Sequence, residues 1–258
     1  MKISIITVVH NNVHTILQCI HSVVNQDYAD IEYIVIDGDS TDGTKAILEK
    51  HSDKIDVLVS EPDDGIYDAM NKGIRIAKGE IIGILNSDDF YPSTDVISKI
   101  ASVFQNAGNQ ALYGDLIYVD KQDIEITRRY WEGGQIESFL KGWHPPHPTF
   151  FVRKSVYDKY GLYDISLDIS ADFEMMFRLI EKEKIEIAYI PEVLVHMRMG
   201  GASNGSLRNL WRAFFQIKKS FRMNGYKYPF SYPFIRYSSK IQQFLRSKLK
   251  SNPQALSG

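Results

Sequence analysis

The chain has 258 residues, and its apolar fraction of 44% and charged fraction of 24% are those of a globular protein with a sizeable core. A lone Cys19 excludes an internal disulfide framework or a cysteine-based zinc cluster and fits a reducing cytosol; the N-terminal apolar run ends at His10 and Asn11, and no stretch approaches the length of a membrane span or signal peptide. The net charge of -2 hides an asymmetry: the last acid is Glu192, residues 193–258 hold twelve Lys and Arg, and the first 192 residues hold 18 basic and 32 acidic ones.

Residues 2–9 are a β-branched run that predicts a buried strand. Asn11 or Asn12 is expected to cap a helix reaching Val24, with Ile16, Leu17, Ile20 and Val23 among its apolar positions. Strands follow at 31–36, 55–60 and 80–85, and helices at 44–50, 68–77 and 95–104. This alternation predicts an α/β fold with a mostly parallel sheet, in which ligands bind at the carboxyl ends of the strands. Beyond Ala111 the pattern changes to antiparallel strands at 112–119 and 124–130, a Pro-rich loop at 143–148 and a strand at 149–153. A helix at 171–181, short strands at 185–190 and 193–197, a turn at Gly200-Gly201 and helices at 207–221 and 234–250 complete the pattern.

Two carboxylate clusters, Asp37/Asp39/Asp42 and Asp88/Asp89, sit at strand carboxyl ends and predict one shared crevice. Asp88 and Asp89 suit a hard cation, Mn²⁺ or Mg²⁺, which takes oxygen ligands and substrate phosphates; the plainer alternative is a solvated turn with an Asx cap. Asp37 and Asp39 can accept from a base N–H or a ribose hydroxyl, while Ser40 and Asp42 have the spacing of turn and helix-capping residues. Asp172 opens a helix, where the dipole favours its anion, either as a structural charge or as a waiting base. His144 and His147 flank two prolines in a stiff loop. No G-x-G-x-x-G, P-loop or G-x-S-x-G motif is present, so phosphates need a metal instead of a glycine cradle.

The segments Ser4-Ile5-Ile6-Thr7 to Asn11, Asp37-Gly38-Asp39-Ser40-Thr41-Asp42-Gly43, Asp64-Gly65-Ile66-Tyr67-Asp68 to Gly73, and Asn86-Ser87-Asp88-Asp89 together resemble glycosyltransferase family 2. His147-Pro148-Thr149, Ala171-Asp172-Phe173 and Gly200-Gly201-Ala202-Ser203 extend the likeness to about residue 205, toward bacterial members that build surface polysaccharides. The resemblance implies a GT-A fold over 1–206, a nucleotide-sugar donor, a divalent cation and inversion at the anomeric carbon. It implies donor contacts at Thr7, Val8, His10, Asp37, Asp39, Gly65, Asn71 and Ser87. It further implies Asp88 as metal ligand, with Asp89 sharing the role, and Asp172 as general base. His196 is an additional metal candidate, or else a packing residue on its strand, and His144 and His147 belong to the acceptor side, with His147 a rival base. The sequence departs from the family pattern at Asn86, where the first Asp of D-x-D stands elsewhere, and at Ala171, where a Glu commonly precedes the base. A catalytically silent sugar-nucleotide-binding or scaffold protein on the same fold is the alternative; a nucleotidyltransferase lacks support because no Gly-rich loop follows the first strand.

Residues 207–258 form a second region, a helical tail in which basic residues alternate with aromatics. That composition predicts docking on an anionic membrane surface, at the inner face of the cell membrane of a cytoplasmic protein, next to a lipid-linked or oligosaccharide acceptor. A packed helix with a solvated basic face is the plainer reading. Nucleic acid is not an expected partner, because the acidic body repels a polyanion and no base-reading motif appears. Acceptor choice is expected to lie in the loops at 133–148 and 200–206.

Overall fold

The computed structural model describes residues 1–200 and 207–235. The expected turn beyond Gly200, most of the expected acceptor loop at 200–206, and the expected last helix from residue 236 onward lie outside the described residues.

The first half is built as the periodicity predicts. Strands β1 (Ile3–Val9), β2 (Ile31–Asp37), β3 (Val57–Ser60) and β4 (Ile81–Ile84) pair in parallel in the order β3-β2-β1-β4. Helices α1 (Ile16–Val24), α2 (Thr44–Lys50), α3 (Ile66–Ile76) and α4 (Val96–Phe104) supply the crossovers. The alternation of β1 divides two cores. Ile3, Ile5 and Val9 join the α1 and α4 residues on one face, and Ile6 and Val8 join Met70 and Ile74 of α3 on the other. At Gly73 the helix comes so close to β1 that a Cβ would overlap the Ile6 side chain.

Helix α1 starts three to four residues later than expected, with Thr15 at its cap position. The amides that an Asn cap would leave to a helix are taken by the neighbouring loop. Asn11 N–H donates to Ser40 Oγ (2.8 Å), Asn12 N–H to Thr44 Oγ1 (2.9 Å) and Val13 N–H to Asp42 Oδ2 (3.0 Å). Asn11 takes a left-handed φ of 52° to make this turn.

The second half is mixed. β7 (Phe151–Arg153) pairs antiparallel with both β4 and the start of β5 (Ala111–Val119). β6 (Thr127–Trp131) pairs antiparallel with the end of β5, beyond the stretch that pairs with β7. The two short strands expected at 185–190 and 193–197 are one strand, β8 (Ile187–Arg198), parallel to β5. Its register slips opposite Gly114–Leu116 because Pro191 lacks an N–H for the ladder and the chain bulges there instead of ending. A seven-residue helix, α5 (Lys154–Tyr160), has no counterpart in the sequence reading. Helix α6 (Ala171–Met176) passes into a π-helical turn, Phe177–Lys182. Helix α7 (Leu207–Met223) lies against α6, and its Ile217 and Phe221, with Tyr232 beyond it, belong to the same core as β1 and α3. The inner side of the basic region is therefore part of the main body. No helix among the described residues is long and apolar enough to cross a membrane.

Candidate active site

A cavity of about 580 Å³ opens at the carboxyl ends of the parallel strands. Its floor comes from strand ends and the loops after them: Val8 and Val9 at the end of β1 with His10 and Asn12 after it, Asp63 and Gly65 after β3, and Asn86, Ser87 and Asp88 after β4. The facing side comes from Tyr67 and Met70 of α3, His147, the segment before α6 with Asp172, Met197 of β8, and Asn209 and Arg212 of α7.

The floor is tightly cross-linked. His10 Nδ1 lies 2.8 Å from the Gly38 carbonyl and its Nε2 lies 3.0 Å from Asn11 Nδ2, so Nδ1 carries the proton and Nε2 accepts. Asn12 Nδ2 donates to Ser87 Oγ (2.8 Å), and Thr15 Oγ1 donates to the Ser87 carbonyl (3.0 Å). Gly38 is required: a Cβ there would collide with the Asp63 carboxylate, whose other oxygen accepts from Gly65 N–H at 2.9 Å.

Asp88 is half-buried, and burial raises its carboxyl above the ordinary carboxylate value against the opposing pull of Arg198 and His147. Among the described residues no side chain donates to its carboxylate. Beside it, Asn86 Oδ1 is a buried oxygen without a partner. No group of three His, Cys, Asp or Glu side chains gathers for a metal among the described residues. This donor set fits Mn²⁺ or Mg²⁺, which is commonly held by one or two protein oxygens with phosphates and waters completing the shell.

Of the other two metal candidates, Asp89 lies against Asn86, its Oδ2 3.5 Å from Asn86 Nδ2 and its Oδ1 a buried oxygen without a partner, and His196 turns away. Asp89 is fully buried beneath the loop, its carboxyl pushed well up by burial and by neighbouring Asp88. The His196 ring packs edge-on to Phe90 at 5.2 Å, because alternation on β8 points Met197, not His196, into the cavity.

On the opposite side Asp172 is held by two groups. Tyr67 hydroxyl lies 3.0 Å from its Oδ1 and 2.9 Å from the Ile169 carbonyl, and His147 Nδ1 lies 3.2 Å from its Oδ2. Burial keeps the Tyr67 phenol protonated, with Asp172 adding to the effect, so it remains a donor. The segment ahead of Asp172 is gripped by α7: Gln216 Oε1 accepts from Ile169 N–H (3.0 Å) and Ser170 N–H (3.1 Å), and Arg212 pairs with Asp168.

Of the donor positions implied by the sequence, Val8, His10, Gly65 and Ser87 line the cavity. Thr7 faces the α1 core, accepting from Tyr33 hydroxyl at 3.2 Å and touching Cys19. Asp37 is buried and accepts from Ser60 Oγ (2.6 Å) and Ser40 N–H (3.2 Å). Asp39 pairs with Lys45 on the surface. Asn71 clasps the backbone of Tyr163, donating at 2.9 Å and accepting at 3.0 Å. His144 parts from His147 and packs among Trp131, Phe139 and Phe173. Sequence reasoning missed Asp63, Tyr67, Asp168, Asn209, Arg212 and Arg198, whose guanidinium donates to the Asp88 carbonyl. Tyr67 carried a signal, since it follows Gly65 in a quoted motif; the α7 residues carried none.

The cavity lies at the carboxyl ends of the parallel strands of a GT-A fold, with Asp63 and Asp88 on its floor and Asp168 and Asp172 facing them. The comparisons agree. Residues 4–162 match the family model for Glycosyl transferase family 2, and the chain belongs to that family and is a glycosyltransferase. It is 26% identical over 192 residues to a PGL/p-HBAD biosynthesis glycosyltransferase of Mycobacterium tuberculosis, covering 72% of this chain and 73% of that one. An uncharacterized glycosyltransferase of the same species is 32% identical over 185 residues, 68% of each chain. Among solved structures, the mannosyltransferase PcManGT from Pyrobaculum calidifontis, in complex with GDP-Man and Mn²⁺, superposes at TM-score 0.63 with 18% identity, over 100% of this chain and 76% of that one. Residues 1–349 of S. aureus TarS in complex with UDP superpose at 0.63 with 17% identity, over 100% and 75%. These two likenesses concern the fold.

Proposed function

We propose that the protein transfers a sugar, with inversion, from a nucleoside-diphosphate sugar to a hydroxyl of a lipid-linked or oligosaccharide acceptor in surface-polysaccharide synthesis, using Mn²⁺ or Mg²⁺, at the inner face of the cell membrane. The observation that carries this reading is the single cavity with Asp88 on one side and Asp172 on the other. A solved relative in fold that holds GDP-Man and Mn²⁺ supports the donor class and the cation.

A divalent cation at Asp88, with Asn86 Oδ1 beside it, supplies the positive charge that a departing diphosphate requires. The chain's own residues do the rest. His10, Ser87 and Gly65 shape the donor side of the floor. Tyr67 and His147 fix the Asp172 carboxylate so that an oxygen faces the incoming hydroxyl. The pKa of that hydroxyl lies far above 7, so its proton must leave as the new bond forms, and Asp172 takes it. One base opposite the leaving group gives a single displacement and hence inversion, with no carboxylate nucleophile.

Turnover of nucleotide sugars by the full chain with Mn²⁺, and again after EDTA, tests the reading. Metal-dependent transfer that Asp172→Asn removes is the expected result. Donor binding without turnover would show the silent binding protein instead.

A further inference from the structure

Helix α7 has three faces. Ile217, Ser220 and Phe221 are buried, and Asn209 and Arg212, one turn apart, line the cavity. Leu210 and Trp211, between those two in sequence, face outward with Phe214 and Phe215. The chain after α7 folds back so that Tyr228, Phe230, Pro233 and Phe234 stand across from them, enclosing a groove of about 710 Å³ with Lys218 in its wall. The exposure is unusual for large apolar side chains: 64% at Trp211, 60% at Phe215, 92% at Phe230 and 71% at Phe234. Across 207–235 the side-chain charges are Arg208, Arg212, Lys218, Lys219, Arg222 and Lys227, with no carboxylate among them.

An aromatic patch whose own charges are all cations, of which Arg212 is already paired with Asp168 at the cavity, matches the boundary of a bilayer with anionic headgroups. Rings prefer the interfacial layer, and each cation near it gains from the negative surface potential. A two-fold contact between copies of this chain would instead face these cations with their own equivalents, unrelieved by any acid of the patch.

We propose that the outer face of α7, Leu210 to Phe215, together with Phe230 and Phe234, inserts into the headgroup layer of an anionic bilayer and so directs the cavity mouth at the membrane surface. The same two turns of α7 wall both the groove and the cavity, so an acceptor hydroxyl reaches Asp172 from headgroup height. This deepens and rests on the reading of transfer to a membrane-borne acceptor. It replaces a general attraction of the basic tail with a defined surface.

The test uses the full chain and sedimentation with vesicles of phosphatidylcholine alone or with about one third phosphatidylglycerol. A triple variant, Trp211→Ser/Phe215→Ser/Phe230→Ser, alters exposed side chains only. Wild type is expected to sediment with the anionic vesicles, less so at high salt, and the variant to partition at least about tenfold more weakly. A blue shift of tryptophan emission on binding is expected, and is expected to be lost in Trp211→Phe. Equal partitioning of wild type and variant, or equal binding to both vesicle types, would overturn the proposal. So would a lipid-free dimer that the three substitutions dissolve. Donor turnover is measured on both proteins without vesicles. Unchanged turnover with lost vesicle binding supports the docking face, because the fold is then intact. If wild type turns over no donor yet binds anionic vesicles through these rings, the docking face stands and the transferase reading falls.

Discussion

In residues 1–104 the floor of the cavity stands where strands stop, His10 after β1, Asp63 after β3 and Asp88 after β4, and only α3 adds side chains from a helix, Tyr67 and Met70 among them. In residues 111–235 the polar cavity residues stand on helices and turns, Asp172 in the first turn of α6, His147 in a 3₁₀ turn and Arg212 in the second turn of α7, while strand β8 adds only Met197. The first set is placed by ladder register, which follows from the apolar pattern of each strand. The second is placed by polar contacts between distant segments, such as Tyr67 to Asp172 and Gln216 to the amides of Ile169 and Ser170. One side of the site thus takes its placement from the sheet and adds short cross-links between neighbouring strand-end loops, while the other is placed by contacts between distant segments alone.

The largest expected effects come from removing Asp88 on one side and Asp172 on the other. Asp88→Ala is expected to lower transfer by about 10³-fold or more, with an unchanged circular dichroism melt, since several kcal/mol of charge stabilisation at the leaving group are lost. Asp172→Asn keeps the shape and is expected to lower kcat by about 10² to 10⁴, with donor KM held. A collapse of donor binding in that variant would make Asp172 a binding residue.

The supports sharpen the comparison. Gln216→Ala frees the two amides ahead of α6 and is expected to lower kcat by about tenfold or more through misplacement of Asp172, without changing donor KM. A matching loss in Tyr67→Phe would show that both act on the base. Deletion of residues 207–258 would remove Ile217, Phe221 and Tyr232 from the core, so it tests folding and not membrane binding.

Asn71 separates structure from donor binding. Asn71→Ala leaves the Tyr163 N–H and carbonyl unpaired in the interior, an expected cost of about 2 kcal/mol seen as a lower Tm, with donor KM unchanged. A raised donor KM at unchanged Tm would instead restore the donor role implied by its motif.

The smallest effect concerns His196. Burial lowers its imidazole below the ordinary 6.5, against a weaker opposing influence of Glu125. A folded-state value that is depressed gives stability that is complete above the ordinary value and lost as pH falls through the folded-state one. Wild-type Tm is therefore expected to fall slightly more than that of His196→Gln as pH drops below about 6.5. Equal slopes for the two proteins would show that the ring is not held neutral by its packing against Phe90.

The sequence determined the parallel half of the fold and the two poles of the site, because those depend on short-range signals. Apolar period sets the strands, Gly and Asp mark their ends, and the acids at 88 and 172 stand within recognisable motifs. It also determined that the last region is basic and aromatic. Only the tertiary structure decided which residues of a motif reach the cavity, since one step along a strand reverses a side chain: Val8 lines it while Thr7 enters the core, and Met197 lines it while His196 packs on Phe90. Tertiary structure likewise turned Asp37 and Asn71 into structural clasps, parted His144 from His147, and laid α7 across the site. Those outcomes rest on contacts between residues up to about a hundred positions apart, and no local pattern of charge or hydropathy encodes them.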